Sequence, residues 1–193
     1  MWPTDFTRFL TCHPATPGPA VRTIEVHAER TAGGGLELAY RLRGDIARLR
    51  IPDPRQPGHC DGLWEHTCFE AFVAVAGEEA YHEFNFSPSG AWAAYVFTGY
   101  RRRDDRWTLL AAPELAARLS AGRVELEVLI PTSLLPALPV AVTWQIGLCA
   151  VIEAADVVDG RHSYWALRHP VALPDFHHRG GFALELPPSG PVA

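Results

Sequence analysis

In the stretch RVELEVLIP, Val124, Leu126, Val128 and Ile130 alternate with Glu125 and Glu127. A period of two is that of a strand with one wet and one buried face. Comparable segments lie at 21–29, 36–43, 46–51, 67–76, 80–86, 91–98, 123–130, 142–153 and 181–186. Each is short, rich in β-branched or aromatic residues and bounded by Gly or Pro, so each reads as a strand. One segment departs from this pattern: APELAARLSA (112–121), with Pro113 near its start and Gly122 after its end, predicts a helix. A short helical turn is also expected after Pro131. Closely spaced strands with one or two short helices predict an all-β antiparallel β-sandwich of immunoglobulin-like or jelly-roll-like type.

At 193 residues, with no repeat and no inner linker, the chain reads as a single domain over 1–193, its PPSGPVA tail (187–193) frayed. A net charge of −5 gives no general attraction to phosphate backbones, so nucleic acid is not an expected partner. All 17 basic residues are arginines, which excludes lysine chemistry such as Schiff-base formation. The N-terminal MWPTDFTRFLTCHPATPGPA has no basic stretch followed by an apolar run, so the expected compartment is the cytoplasm, without a membrane partner. Cys12, Cys60, Cys68 and Cys149 are few and irregularly spaced, as expected of reduced thiols.

Strand pairing turns this pattern into a candidate site. A turn at Gly77-Glu78 sets Glu70 opposite Asn85, Ala71 opposite Phe84 and Phe69 opposite Phe86. A turn centred on Pro88-Ser89 then sets Asn85 opposite Trp92, Phe84 opposite Ala93 and His82 opposite Tyr95. Alternation places Phe69, Ala71, Val73, Phe84, Phe86 and Ala93 on the core face, and Glu70, Asn85 and Trp92 in a row on the other. An aromatic platform beside a carboxylate and an amide suits a sugar, whose apolar ring face stacks while its hydroxyls are held by polar groups.

LWEHTCFEAFV, YHEFNFSPSGAWAAYVF, GRVELEVLIP and PDFHHRGGFALEL resemble, in that order, DOMON-like domains and the related family 9 carbohydrate-binding modules, over roughly residues 60–186. The resemblance implies a β-sandwich that binds sugars or haem on one face, and it does not imply an enzyme. It also implies a tryptophan six positions before a glutamate, matched by Trp64 and Glu70, a later tryptophan, matched by Trp165, and an arginine, matched by Arg101. An extended strand would hold Trp64 and Glu70 about 20 Å apart, so a shared site requires a bend near His66.

These readings converge on a non-catalytic domain for a carbohydrate or similar small molecule, with Trp64, Glu70, Asn85, Trp92, Arg101 and Trp165 as ligand-binding candidates. No cofactor is predicted. The alternatives are a haem domain, a small-molecule enzyme on the same scaffold and a protein-interaction module. Haem-binding relatives pair methionine with histidine, but the only methionine is Met1, which leaves bis-histidine ligation among His66, His82, His162, His169, His177 and His178. His59, Cys60, His66 and Cys68 offer metal-binding atoms at a spacing that matches no trusted zinc motif. In LPDFHHRGG, Asp175 is placed to orient one histidine, although Asp and His beside Pro and Gly more often shape a loop. There is neither a GxSxG elbow nor a phosphate loop, and Glu65 and Glu70 would fall on opposite faces of a regular strand, which disfavours a glycosidase.

Overall fold

The computed structural model describes residues 8–54, 56–135, 142–155 and 161–188. In chain order the strands are β1 (Arg8–Phe9), β2 (Thr11–Cys12), β3 (Val21–Arg30), β4 (Leu36–Gly44) and β5 (Gly58–His59). These are followed by β6 (Cys68–Val75), β7 (Tyr81–Phe86), β8 (Ala91–Phe97), β9 (Glu114–Ser120) and β10 (Arg123–Ile130). Finally come β11 (Trp144–Glu153), β12 (His162–Ala166) and β13 (Leu184–Leu186). Among the described residues the helical elements are short 3-10 turns, so the fold is an all-β sandwich.

One sheet runs β1-β3-β4-β10-β9 and the other β2-β12-β11-β6-β7-β8-β5, with β13 added beside β11. Pairing is antiparallel except between β5 and β8. Alternation sends Ile24, Leu42 and Leu126 from the first sheet against Phe69, Phe84 and Ile146 from the second, all fully buried. A polar tie crosses this layer: Tyr40 Oη donates to the backbone carbonyl of Glu70 at 2.9 Å while its ring packs on Phe69.

The larger sheet is covered on its outer face as well. Phe72, Tyr81, Tyr95 and Phe97 form a second apolar cluster there, capped by Leu63, Phe176 and Phe182 from the connecting segments. This explains why β7 is buried along its whole length instead of alternating wet and dry. Cys12, Cys60, Cys68 and Cys149 are free thiols.

The structure corrects three expectations. The helix predicted at 112–121 is strand β9, an edge strand paired with β10 from Leu129↔Glu114 to Arg123↔Ser120. Only Leu115 is partly withdrawn from solvent, so it is the backbone ladder with the hairpin partner β10 that overrides the helix propensity of Ala, Glu and Leu. Gly122, read as a helix stop, belongs to the turn between β9 and β10. The strand expected at 46–51 is a 3-10 turn at Ile46–Arg48 followed by a single bridge from Leu49 to Ala154. It lies where the chain passes from one sheet to the other.

The third correction sets the site. The β6–β7 register is as expected, with Glu70↔Asn85 and Phe69↔Phe86. The β7–β8 register is one residue away from expectation, with Phe86↔Trp92, Asn85↔Ala93 and Glu83↔Tyr95. Ser87 N–H donates to the Ala91 carbonyl around Pro88, Ser89 and Gly90, a three-residue loop closed by Gly90 at φ +95°. The extra residue reverses every side chain of β8. Strands β1, β2, β5 and β12 were not anticipated, and three of these have only two residues. Thr132–Leu134 forms the helical turn expected after Pro131. In the tail, 189–193 lie outside the described residues.

Candidate functional site

Outward-facing positions of β6, β7 and β8 form the floor of a cavity of about 380 Å³ on the outer face of the larger sheet. Glu70 and Glu83 lie at its base, Tyr95 and Trp64 on one side, and Tyr164 and Phe176 on another. Glu83 pairs with Phe72 across the ladder, one step diagonal from the Glu70–Asn85 pair, so both carboxyls and the amide share one face.

Trp64 reaches this space because the chain bends before β6. Leu63–Glu65 is a 3-10 turn entered through Gly62 at φ +76°, and His66 then returns to extended backbone. The Trp64 ring stands edge-on to Tyr95, with centroids 6.0 Å apart, and remains 43% exposed. Arg101 lines the cavity from the loop after β8, at the non-glycine φ of +54°. Its N–H donates to Tyr81 Oη at 3.1 Å, and its guanidinium donates to Asp175 Oδ1 at 3.0 Å.

The buried groups form a directed network. Asn85 Nδ2 donates to Glu83 Oε1 at 2.9 Å, while Asn85 Oδ1 is buried without a partner. The Glu70 carboxylate accepts from the Cys68 thiol at 3.4 Å. Burial pushes both carboxyls well above their ordinary range, and the charge of Glu83 raises Glu70 further. Tyr81 Oη accepts from Arg101 N–H and is hydrogen-bonded to His177 Nδ1 at 2.8 Å. The other ring nitrogen of His177, Nε2, faces Glu83 Oε2 at 3.6 Å. Burial, then the charge of Arg101, holds His177 down to about 4, so the ring is neutral at pH 7.

Of the six candidates, the structure brings Trp64, Glu70 and Arg101 around one cavity and sets Asn85 beneath it. The other two are corrected. Trp92 is 6% exposed in the layer between the sheets, because the three-residue turn reverses its face. Trp165 is 7% exposed in that same layer, where its indole donates to Ser163 Oγ; its neighbour Tyr164 lines the cavity instead. Sequence reasoning missed Glu83, although the β6–β7 register already placed it on the face of Glu70. It also missed Tyr95, which the true β8 register turns outward.

The haem candidates do not converge. His82 faces the inter-sheet layer and bonds the Leu134 carbonyl, on the side of the sheet opposite His177. His66 engages Glu153, His162 the Glu65 carbonyl, His169 the Thr11 carbonyl, and His178 accepts from Gly180 N–H. Among the described residues no three His, Cys, Asp or Glu side chains are grouped as for a metal ion, those of the His59–Cys68 segment included. Asp175 orients Arg101 and Tyr100 and accepts from the backbone N–H of His177, so it shapes the loop.

No family model matches the chain, and no curated protein is significantly similar to it in sequence. Similarity lies in the fold. A Bacteroides uniformis protein to which carbohydrate binding has been ascribed superposes with a TM-score of 0.64 at 18% identity, over 92% of this chain and 84% of that one. A family 9 carbohydrate-binding module from Caldicellulosiruptor kristjanssonii, solved with cellotriose, gives 0.45 at 9% identity, over 80% of this chain and 74% of that module.

Proposed function

We propose that this chain binds a carbohydrate in the cavity above Glu70 and Glu83 without changing it. The observation that supports this is the facing of aromatic rings and buried hydrogen-bonding groups onto one space of about 380 Å³. Trp64, Tyr95 and Tyr164 offer apolar surface to a sugar ring, while Glu70, Glu83 and the Arg101 guanidinium offer acceptors and donors for its hydroxyls. The ligand class ascribed to the Bacteroides uniformis protein agrees with this chemistry. The four free thiols support a reducing compartment, the cytoplasm.

A glycan array followed by titration calorimetry tests the reading. The expected result is saturable binding of a mono- or oligosaccharide that Trp64→Ala weakens about tenfold or more, as loss of a stacking platform should. Binding unaffected by Trp64→Ala would place the ligand elsewhere. Turnover of the bound sugar, lost in Glu70→Gln, would instead establish an acid–base enzyme.

A further inference from the structure

The base of the cavity carries two carboxyls, and the two arginines that line the cavity, Arg101 and Arg103, act on Glu83 by their charge without reaching ion-pair distance from it. Glu83 Oε2 faces only the neutral His177 and Glu70 accepts only a weak thiol bond, while Asn85 Oδ1, enclosed behind them and off the cavity wall, has no partner. The nearby arginines are engaged elsewhere. Arg101 is held by Asp175 at 3.0 Å, while Arg103 lies 4.3 Å above the Tyr95 ring with Asp105 as its ion-pair partner. Among the described residues, neither Glu70 nor Glu83 has an arginine within ion-pair distance. Beside Glu70 lie two neutral thiols, Cys68 on its own strand and Cys149 opposite it on β11.

Resting on the carbohydrate reading above, we propose that the ligand carries an ammonium group, as an amino sugar does, seated on Glu70 and Glu83 within the walls formed by Trp64, Tyr95, Tyr164 and Phe176. An ammonium has three donors and no acceptor, which complements the oxygens of an ionised carboxyl on the floor of the cavity. A neutral hydroxyl, with one donor and one acceptor, suits a protonated carboxyl but supplies no charge to an ionised one. Aromatic faces attract a cation, and exclusion of water strengthens both interactions. In the empty site burial favours protonated carboxyls, so a bound ammonium returns one of the pair to the charged form and one proton leaves to solvent.

Calorimetric titration near neutral pH, in two buffers of different ionisation enthalpy, compares four probes: the disaccharide of glucosamine, its N-acetylated form, cellobiose and putrescine. The amine disaccharide is expected to bind about tenfold more tightly than either neutral disaccharide, with net proton release, as a charge-assisted contact requires. Glu70→Gln and Glu83→Gln, each checked for a cooperative unfolding transition, should abolish that preference and the proton release. Neutral disaccharides binding as tightly as the amine would overturn the inference and leave the carbohydrate reading intact. Binding of putrescine with none of the sugars would keep the cation site and remove the sugar. Binding of none of the four would overturn both.

Discussion

Asn85 stands opposite Glu70 across the β6–β7 ladder, yet its amide donates at 2.9 Å to Glu83 on its own strand. That bond is the one fixed contact between the amide and the carboxyl pair, so Asn85→Leu leaves Glu83 without its amide donor. Urea unfolding should show a loss of about 1–3 kcal/mol, the cost of an unmet buried polar group. Asn85→Asp keeps the shape but adds a third carboxyl, and it should lose more stability near pH 8 than near pH 5.

The pH dependence of stability follows from three buried groups, Glu70, Glu83 and His82, and the partly buried His177. Glu70 and Glu83 are raised from 4.5, so the folded chain holds more protons than the unfolded chain above that pH, and stability falls as pH rises. His82 and His177 are lowered from 6.5 to about 4, so below 6.5 the unfolded chain holds more protons and stability falls as pH drops. The two effects oppose each other between 4.5 and 6.5, and above 6.5 only the carboxyl contribution remains. Stability should therefore decline from about pH 6.5 toward 8, and Glu70→Gln should flatten that decline. Chemical denaturation across this range tests it; a rise above 6.5 would contradict the burial of the pair.

Trp92 and Phe84 pack in the same layer between the sheets, whereas Trp64 stands at the mouth of the cavity. Trp92→Ala and Phe84→Ala should each lose about 3–5 kcal/mol in denaturant unfolding. Trp64→Ala should lose less than about 1 kcal/mol, since nearly half of its surface is already wet. Similar losses for Trp92→Ala and Trp64→Ala would contradict the β8 register.

That register rests on Gly90, whose φ of +95° closes the three-residue loop. Gly90→Ala forces a Cβ into this conformation and should cost about 1–2 kcal/mol, measured as a lowered denaturation midpoint with unchanged slope.

How far the site could be read from sequence depended on where the physical signal lay. The alternation in β3, β4 and β10 made the sandwich readable, and the turn at Gly77-Glu78 gave the β6–β7 register that correctly paired Glu70 with Asn85. Parity errors hid the rest. One unforeseen residue in the β7–β8 turn moved Trp92 inward and Tyr95 outward, and Trp165 was chosen where Tyr164 faces the cavity. Strand β9 was misread because Ala, Glu and Leu favour helix, while the decisive hairpin contacts with β10 are tertiary. Arg101 was reached through the family resemblance, whereas the walls supplied by Pro174 and Phe176 come from a loop, which has no periodicity to read.

A carbohydrate seated against Trp64 above Glu70 and Glu83, as proposed, would be reported directly by the tryptophan indole N–H resonances. During titration with a mono- or disaccharide panel, the Trp64 indole resonance should move saturably, while those of Trp92, Trp144 and Trp165, buried between the sheets, stay in place. Saturable sugar binding that leaves Trp64 unmoved, or no binding by any sugar, would contradict the claim.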